Sequence, residues 1–261
     1  MKLEFKKLSA TGNDFIVIDN TNFKVSAENK GLWGKLCARR TGIGADGVLL
    51  IEPSEVADFR MRYINADGGE VEMCGNGARA ISYAYAQLHP EKKELTFQTM
   101  NSVYKSDVRQ QPAISIEMNE LSEKNSIRID DLEQNKHSLY LNTGVPHCIF
   151  DVDDVNSIDV NRAGAAVRYN SRFKNGTNVN FITKRSSTSF EIRTYERGVE
   201  DETLSCGTGI TAAAIAFREF YTKETEISVI SRGGTLNVVF KDESVFLKGL
   251  VEHVYSGECI I

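Results

Sequence analysis

The sequence predicts an α/β (α+β) protein built from two pseudo-symmetric domains by internal duplication, each a curved mixed sheet around a central helix. Three observations predict it. Four short motifs occur twice in the same order: Thr11-Gly12 with Thr143-Gly144, the segment from Gly44 with that from Gly176, the Cys74 motif with the Cys206 motif, and Glu94 to Phe97 with Glu226 to Val229. Each pair is separated by 132 positions, a constancy that marks a repeat rather than chance. Both halves place a Cys-Gly-x-Gly sequence at the start of an Ala-rich stretch. The rest of each half consists of short apolar or alternating runs bounded by Gly, Asn or Asp, the pattern of strands.

In chain order, Phe15 to Ile18, Val48 to Ile51, Phe59 to Tyr63 and Leu95 to Phe97 read as strands of the first half. Glu28 to Ala38 and Asp159 to Tyr169 read as one extra helix in each half. Ala78 to Leu88 and Ile210 to Phe220 read as the central helices, and a helix apolar on nearly every side is a buried one. Asn119 to Ser138 is polar and charge-rich and reads as a linker or surface excursion. The tail from Gly249 to Ile261 has no repeat partner, and its short apolar run needs a sheet to join. The expected domains are therefore residues 1–117 plus 250–261, carrying Cys74, and residues 118–249, carrying Cys206.

Composition excludes several classes. The 261 residues carry 31 Lys and Arg against 36 Asp and Glu, and no stretch has the basic surplus of a nucleic-acid binder. No apolar run approaches the roughly 18 residues of a membrane span, and the N-terminal segment lacks the apolar core of a signal peptide. Five cysteines, an odd number, read as reduced thiols in a cytoplasm. No two of them have the close spacing of a zinc knuckle, so no metal is expected.

The duplicated cysteine motif carries the chemistry. The first N–H groups of a helix lack internal partners and carry partial positive charge. They stabilise a thiolate and can hold a carboxylate, while the glycines let a ligand approach bare backbone. Two such termini facing one carbon supply an acid and a base on opposite sides, as amino-acid stereoinversion requires. The dinucleotide reading of these glycines fails: Gly42 to Gly47 runs into a strand, and both cysteine motifs follow acidic turns. Cys37, Cys148 and Cys259 read as buried thiols of no special role. Asn65 has Arg197 as its counterpart at the repeat spacing, and Glu196-Arg197 beside an Asn suits a zwitterion. His147 reads equally as a structural donor or a site residue.

Thr11 to Phe15, Asn65 to Gly68, Met73 to Arg79, Gly144 to His147, Asn178 to Phe181 and Tyr195 through Gly209 together resemble the diaminopimelate epimerase family. The resemblance spans nearly the whole chain in order. It implies a cofactor-independent, cytoplasmic homodimer acting on a small molecule, LL- or meso-2,6-diaminopimelate, on the route to lysine and peptidoglycan. It further implies that Cys74 and Cys206 are the two bases, and that Gly75, Asn76, Gly207 and Thr208 cradle the carboxylate at the reacting carbon. Asn13 and the Glu196 region would hold the reacting amine, and Asn65, Asn178, Glu196 and Arg197 the distal end. Two positions depart from the commoner pattern: Val145 replaces an Asn, and Gly47 replaces a Gln. The alternatives weighed are a related racemase or isomerase, proline-racemase-like or phenazine-biosynthesis-like, and a non-enzymatic thiol switch.

Overall fold

The computed structural model describes residues 1–118, 121–126 and 135–261. The chain divides into two compact units, Met1–Glu117 with Lys248–Ile261, and Met118–Leu247.

The first unit begins with β1 (Lys2–Ala10) and β2 (Asn13–Asp19), an antiparallel pair. After α1 (Lys30–Cys37), β3 (Gly47–Glu52) returns parallel to β2, and β4 (Phe59–Asn65) lies antiparallel to β3. The short β5 (Glu70–Val71) precedes α2 (Gly75–Leu88). β6 (Glu94–Gln98) pairs parallel with β4, and β7 (Val103–Gln110) and β8 (Ala113–Glu117) continue antiparallel. α2 touches β1 and β2 as well as β7 and β8, so the sheet curls round it. Its buried Ala78, Ala80, Ile81 and Ala84 allow that close approach. α1 packs on the other face, where Trp33 is wholly buried and its indole N–H donates to the Ala27 carbonyl at 2.9 Å.

The second unit repeats this order. β9 (Glu123–Ser126), β10 (Asn135–Asn142) and β11 (Pro146–Val152) are antiparallel. α3 (Val160–Arg168) leads to β12 (Asn178–Lys184), parallel to β11, and β13 (Ser189–Glu196), antiparallel to β12. β14 (Asp201–Thr203) precedes α4 (Gly207–Tyr221). β15 (Glu226–Ser231) pairs parallel with β13, and β16 (Gly234–Lys241) is antiparallel to β15. β17 (Ser244–Leu250) carries the chain out of this unit, and β18 (Glu252–Ile260) pairs antiparallel with β1 along its whole length. α4 is buried by β10 to β13 on one side and by β15 and β16 on the other.

Two expectations change. Within the expected linker, residues 121–126 and 135–138 belong to or adjoin the paired strands β9 and β10; residues 119–120 and 127–134 lie outside the described residues. The cysteine–glycine sequences are the first helical turns themselves, since α2 begins at Gly75 and α4 at Gly207, with Cys74 and Cys206 as N-caps.

The repeat spacing is also not uniform. Phe15 pairs with Gly47, whereas His147, 132 positions after Phe15, pairs with Asn178, one short of that spacing from Gly47. Leu49 faces Tyr63, and the matching pair is Asn180 with Thr194. The spacing is restored beyond the next turn, where Phe59 beside Phe97 matches Phe190 beside Val229. β3 and β4 thus match β12 and β13 with a slip of one residue. Because strand side chains alternate faces, that slip decides which residues correspond. The counterpart of Asn65 is Glu196 rather than Arg197, and the counterpart of Gly47 is Asn178.

Candidate active site: two cysteine-capped helices

Cys74 and Cys206 both have extended N-cap backbone, and neither thiol caps its own helix. The first helical bonds run from Ala78 N–H to Cys74 O and from Ile210 N–H to Cys206 O, at 2.7 and 2.8 Å. The N–H groups of Gly75 and Asn76, and of Gly207 and Thr208, therefore have no carbonyl behind them in the helix. Each unit supplies one thiol beside a set of donors suited to an anion. The other three thiols do not stand at a helix start. Burial pushes the Cys37 thiol up to about 11 and that of Cys148 up to about 12, and it raises Cys259 as well.

In the first unit the helix start is braced by amides and one buried cation. Asn76 Nδ2 donates to Asn13 Oδ1 at 2.7 Å, and Asn13 Nδ2 donates to Asp46 Oδ2 at 2.9 Å. Asn76 Oδ1 accepts from Arg79 Nη2 at 2.6 Å, and the same nitrogen donates to Thr11 Oγ1 at 2.8 Å. Asn76 thus spends its side chain inside the unit and offers a ligand its backbone. Asp46 is held in turn by Arg39, which also grips Asp14 through both guanidinium nitrogens. Burial would raise the Asp14 carboxyl, but the bonds from Arg39 and Lys7 outweigh it and hold it well below the usual carboxylate range. Asn65 is half-buried at the end of β4, and among the described residues nothing bonds its side-chain amide. At Gly47 an added Cβ would lie 2.5 Å from Tyr63 Cε2 and 2.6 Å from the Ile64 carbonyl. The Tyr63 ring occupies the space a longer residue would need.

The second unit braces its helix differently. Asn180 Nδ2 lies 3.2 Å from both His147 Nδ1 and the Cys148 carbonyl, while Asn180 Oδ1 accepts from Thr194 Oγ1 at 2.9 Å. A carbonyl only accepts, so the amide NH₂ faces it and His147 Nδ1 is an acceptor. The imidazole proton is then on Nε2, 3.0 Å from Thr208 Oγ1. With that oxygen accepting, the Thr208 hydroxyl proton is directed at Cys206 Sγ, 3.5 Å away. Burial, with help from Arg197, pushes His147 down to about 3, so the ring is neutral. Gly209 closes the arrangement: a Cβ there would meet Asn180 Oδ1 at 2.6 Å. Nearby, Asn178 donates to Pro146 O and accepts from the Arg197 N–H, positioning the turn that carries Arg197. Arg197 itself donates to Asn175 O. Burial raises the Glu196 carboxyl against the bond it accepts from Thr203 Oγ1 at 2.8 Å.

In the first unit, then, the structure gathers Asn13 and Asn76 around Cys74 and Gly75, with Asn65 at the end of the neighbouring strand. In the second it gathers His147, Thr208 and Gly207 around Cys206, and separately links Asn178 to Arg197 with Glu196 beside them. Sequence reading gave no role to Arg79, Asp46, Asn180 or Thr194. Arg79 carried a signal, as the lone charged residue of its helix; so did Asn180, the one amide amid the apolar run Val179 to Ile182. Among the described residues no cluster of three or more His, Cys, Asp or Glu is arranged to hold a metal ion, and no helix is long and apolar enough to cross a membrane.

Two curved sheets, each wrapped on a helix with a cysteine at its N-cap, make a fold shared with solved structures. A phenazine biosynthesis protein of the PhzF family from Bacillus anthracis superposes with a TM-score of 0.76 at 17% identity over 100% of both chains. A hydroxyproline epimerase from Agrobacterium vitis superposes with a TM-score of 0.63 at 14% identity, over 98% of this chain and 92% of its own. Sequence similarity is more specific. The diaminopimelate epimerase family model matches residues 5–122 and 139–254. The diaminopimelate epimerase of Flavobacterium psychrophilum is 41% identical over 260 residues, covering 97% of this chain and 98% of its own. That of Aquifex aeolicus is 37% identical over 273 residues, covering 98% and 97%. The chain belongs to the diaminopimelate epimerase family.

Proposed function

We propose that the protein interconverts LL- and meso-2,6-diaminopimelate by proton transfer at one α-carbon, without a cofactor, using Cys74 and Cys206 as the two bases. The observation that carries this reading is the duplicated N-cap: two thiols, each beside unpaired helix N–H groups. One thiolate removes the α-proton, the negative charge spreads onto the carboxylate, and the second thiol protonates the opposite face. Donors that meet charge as it develops are worth about 2.7–4 kcal/mol each in other enzymes. The backbone N–H groups of Gly75, Asn76, Gly207 and Thr208 fill that role. Asn13 keeps one lone pair of Oδ1 for the reacting amine after accepting from Asn76. Asn65, Glu196 and Arg197 serve the distal amino-acid end, with Asn178 holding the Arg197 backbone in place.

The test is incubation with LL-diaminopimelate in deuterated water, followed by chiral separation and mass spectrometry at early times. Meso product carrying deuterium at the inverted carbon from the first turnovers is the expected result. Absence of interconversion overturns the assignment, and substantial unlabelled product overturns the two-base step. The reading also carries a cytoplasmic homodimer and a place in lysine and peptidoglycan precursor synthesis. In support of self-association, β18 exposes Val254, Tyr255 and Ile260, and sedimentation velocity tests it.

A further inference from the structure

The β4–β5 and β13–β14 turns stand at matching places in the two units but differ in length. In the first unit Ile64 pairs with Glu70 and the Asn65 N–H donates to Gly69 O, leaving Ala66 to Gly68 as the loop. In the second, Tyr195 pairs with Glu202 and Glu196 with Asp201, leaving Arg197 to Glu200. The extra residue restores the repeat spacing after the slip, and it lies in the loop that carries Arg197.

The shorter loop is seated on main chain. Its Ala66 N–H donates to Asp46 O at 3.1 Å, and a Cβ added to Gly68 would lie 2.8 Å from Lys30 O at the start of α1. The longer loop is held by side chains. A Cβ on Gly198 would meet nothing within 4 Å, and the Arg197 N–H reaches the Asn178 side chain. From within the loop, Glu200 Oε1 accepts from Arg168 Nε at 3.2 Å, Arg168 Nη2 at 3.0 Å and the Gly198 N–H at 3.0 Å. Its Oε2 accepts from the hydroxyls of Tyr169 at 3.1 Å and Tyr195 at 3.3 Å. One carboxylate thus ties the loop to the end of α3 and to β13. Glu200 also has φ of +60°, a left-handed backbone that is costly for any residue with a side chain. Such a conformation persists where the surroundings fix it.

Arg168 works on the neighbouring segment as well. Its guanidinium fills the space where a Cβ on Gly176 would stand, just before β12. The residue preceding Gly176 is Asn175, whose carbonyl accepts from Arg197 Nη1 at 3.0 Å. The Arg168–Glu200 ion pair therefore touches both segments that set where the Arg197 guanidinium lies. One carries Arg197, and the other receives its bond.

We propose that Glu200 and Arg168 are positioning residues for Arg197, so that their ion pair sets recognition of the substrate's distal amino-acid end. The role of Arg197 in that recognition rests on the epimerase reading; Glu200 and Arg168 act through it. Contacts to a part of the substrate that does not react are equal in the ground state and the transition state, so their loss appears in KM rather than kcat.

Steady-state kinetics with LL-diaminopimelate test the proposal, alongside amide hydrogen exchange followed by NMR in substrate-free protein. Glu200→Gly tolerates the left-handed backbone but removes the carboxylate. Its KM is expected to rise roughly 10–100-fold, with kcat within about threefold of wild type. Arg168→Met should show the same split. Glu200→Gln keeps one oxygen for Arg168 and the Gly198 N–H, and its NH₂ can donate to the tyrosine hydroxyls, so it should restore most of the affinity. In an Arg197→Ala background, Glu200→Gly should raise KM no further. The Arg197 amide should exchange faster in Glu200→Gly than in wild type, and close to the wild-type rate in Glu200→Gln. If wild type fails to interconvert diaminopimelate, the epimerase reading falls and the exchange rates still decide the positioning. An active Glu200→Gly protein with an unmoved KM overturns the proposal and leaves the epimerase reading standing. An Arg197 amide that exchanges no faster in Glu200→Gly overturns it too.

Discussion

Beneath the Cys74 helix lie Phe15, Leu49 and Tyr63; at the matching places beneath the Cys206 helix lie His147, Asn180 and Thr194. The first floor is apolar, and its polarity sits on the helix and the β1–β2 turn, in Asn76, Arg79 and Thr11. The second floor is a hydrogen-bonded strip, and the first turns of the helix above it carry the small hydroxyls of Thr208 and Thr211. Both solutions hold a glycine-rich helix start in place, and they differ in electrostatics. One braces its helix start with a buried cation, Arg79, the other with a chain of neutral dipoles. A duplicated scaffold can thus keep its geometry while the groups that brace its two helix starts diverge.

The most severe way to test that comparison is to remove each thiol. Cys74→Ala and Cys206→Ala are each expected to lower kcat by at least about 10²–10⁴-fold, because neither base can serve both faces of the carbon. Circular dichroism should show folded protein in both cases. Near-normal turnover in either variant would mean that the two turns are not both part of the chemistry.

Exchanging floors is the next largest perturbation. Asn180→Leu, which installs the residue matching Leu49, leaves His147 Nδ1 and the Cys148 carbonyl without their donor and the Thr194 hydroxyl without its acceptor. Unsatisfied buried groups cost about 1–3 kcal/mol each, so urea unfolding should show a loss of about 3 kcal/mol or more. Unchanged stability would mean that the strip is not what supports α4.

Gly47→Ala probes the first floor by crowding. The Cβ would press on the Tyr63 ring and on a backbone carbonyl that cannot rotate away. Overpacking of that kind costs about 1–3 kcal/mol. Asn178→Ala, at the matching place, creates no such contact and should cost less, about 1 kcal/mol for the lost bonds. A Gly47→Ala protein as stable as wild type would mean that the Tyr63 ring gives way at little cost.

The remaining signal is a pH slope. His147 is held near 3 in the fold, against about 6.5 when unfolded, so between those values the unfolded chain binds the extra proton. Stability must then fall as pH drops below about 6.5, by up to about 1.4 kcal/mol per pH unit from this group. Urea midpoints of wild type and His147→Phe compared at pH 7 and pH 5 isolate the effect. The variant should lose less on acidification, and an identical slope would place the ring in a less buried, titrating state.

Much of this was legible in advance. The two cysteine turns, the two buried helices and the extra helix before β3 and β12 all rest on local signals. These were glycines beside a cysteine, alanines on every face, and an Asn or Asp at the N-caps of α1 and α3. The paired strands β9 and β10 were hidden by polar side chains, because one edge of a sheet can be held by backbone bonds alone. Arg79, Asn180 and Thr194 had visible types but invisible partners, since the groups they meet lie on other strands.

By itself the sequence determined the duplication, the placement of a thiol at each helix start and the family, because each of these is written in contiguous residues. Only the tertiary structure decided how the halves correspond within β3–β4 and β12–β13, and therefore that Asn65 matches Glu196 and Gly47 matches Asn178. The reason is the two-residue period of a strand. A slip of one position leaves the motif spacing almost intact yet turns every side chain to the other face, and only cross-strand pairing reports which face was chosen.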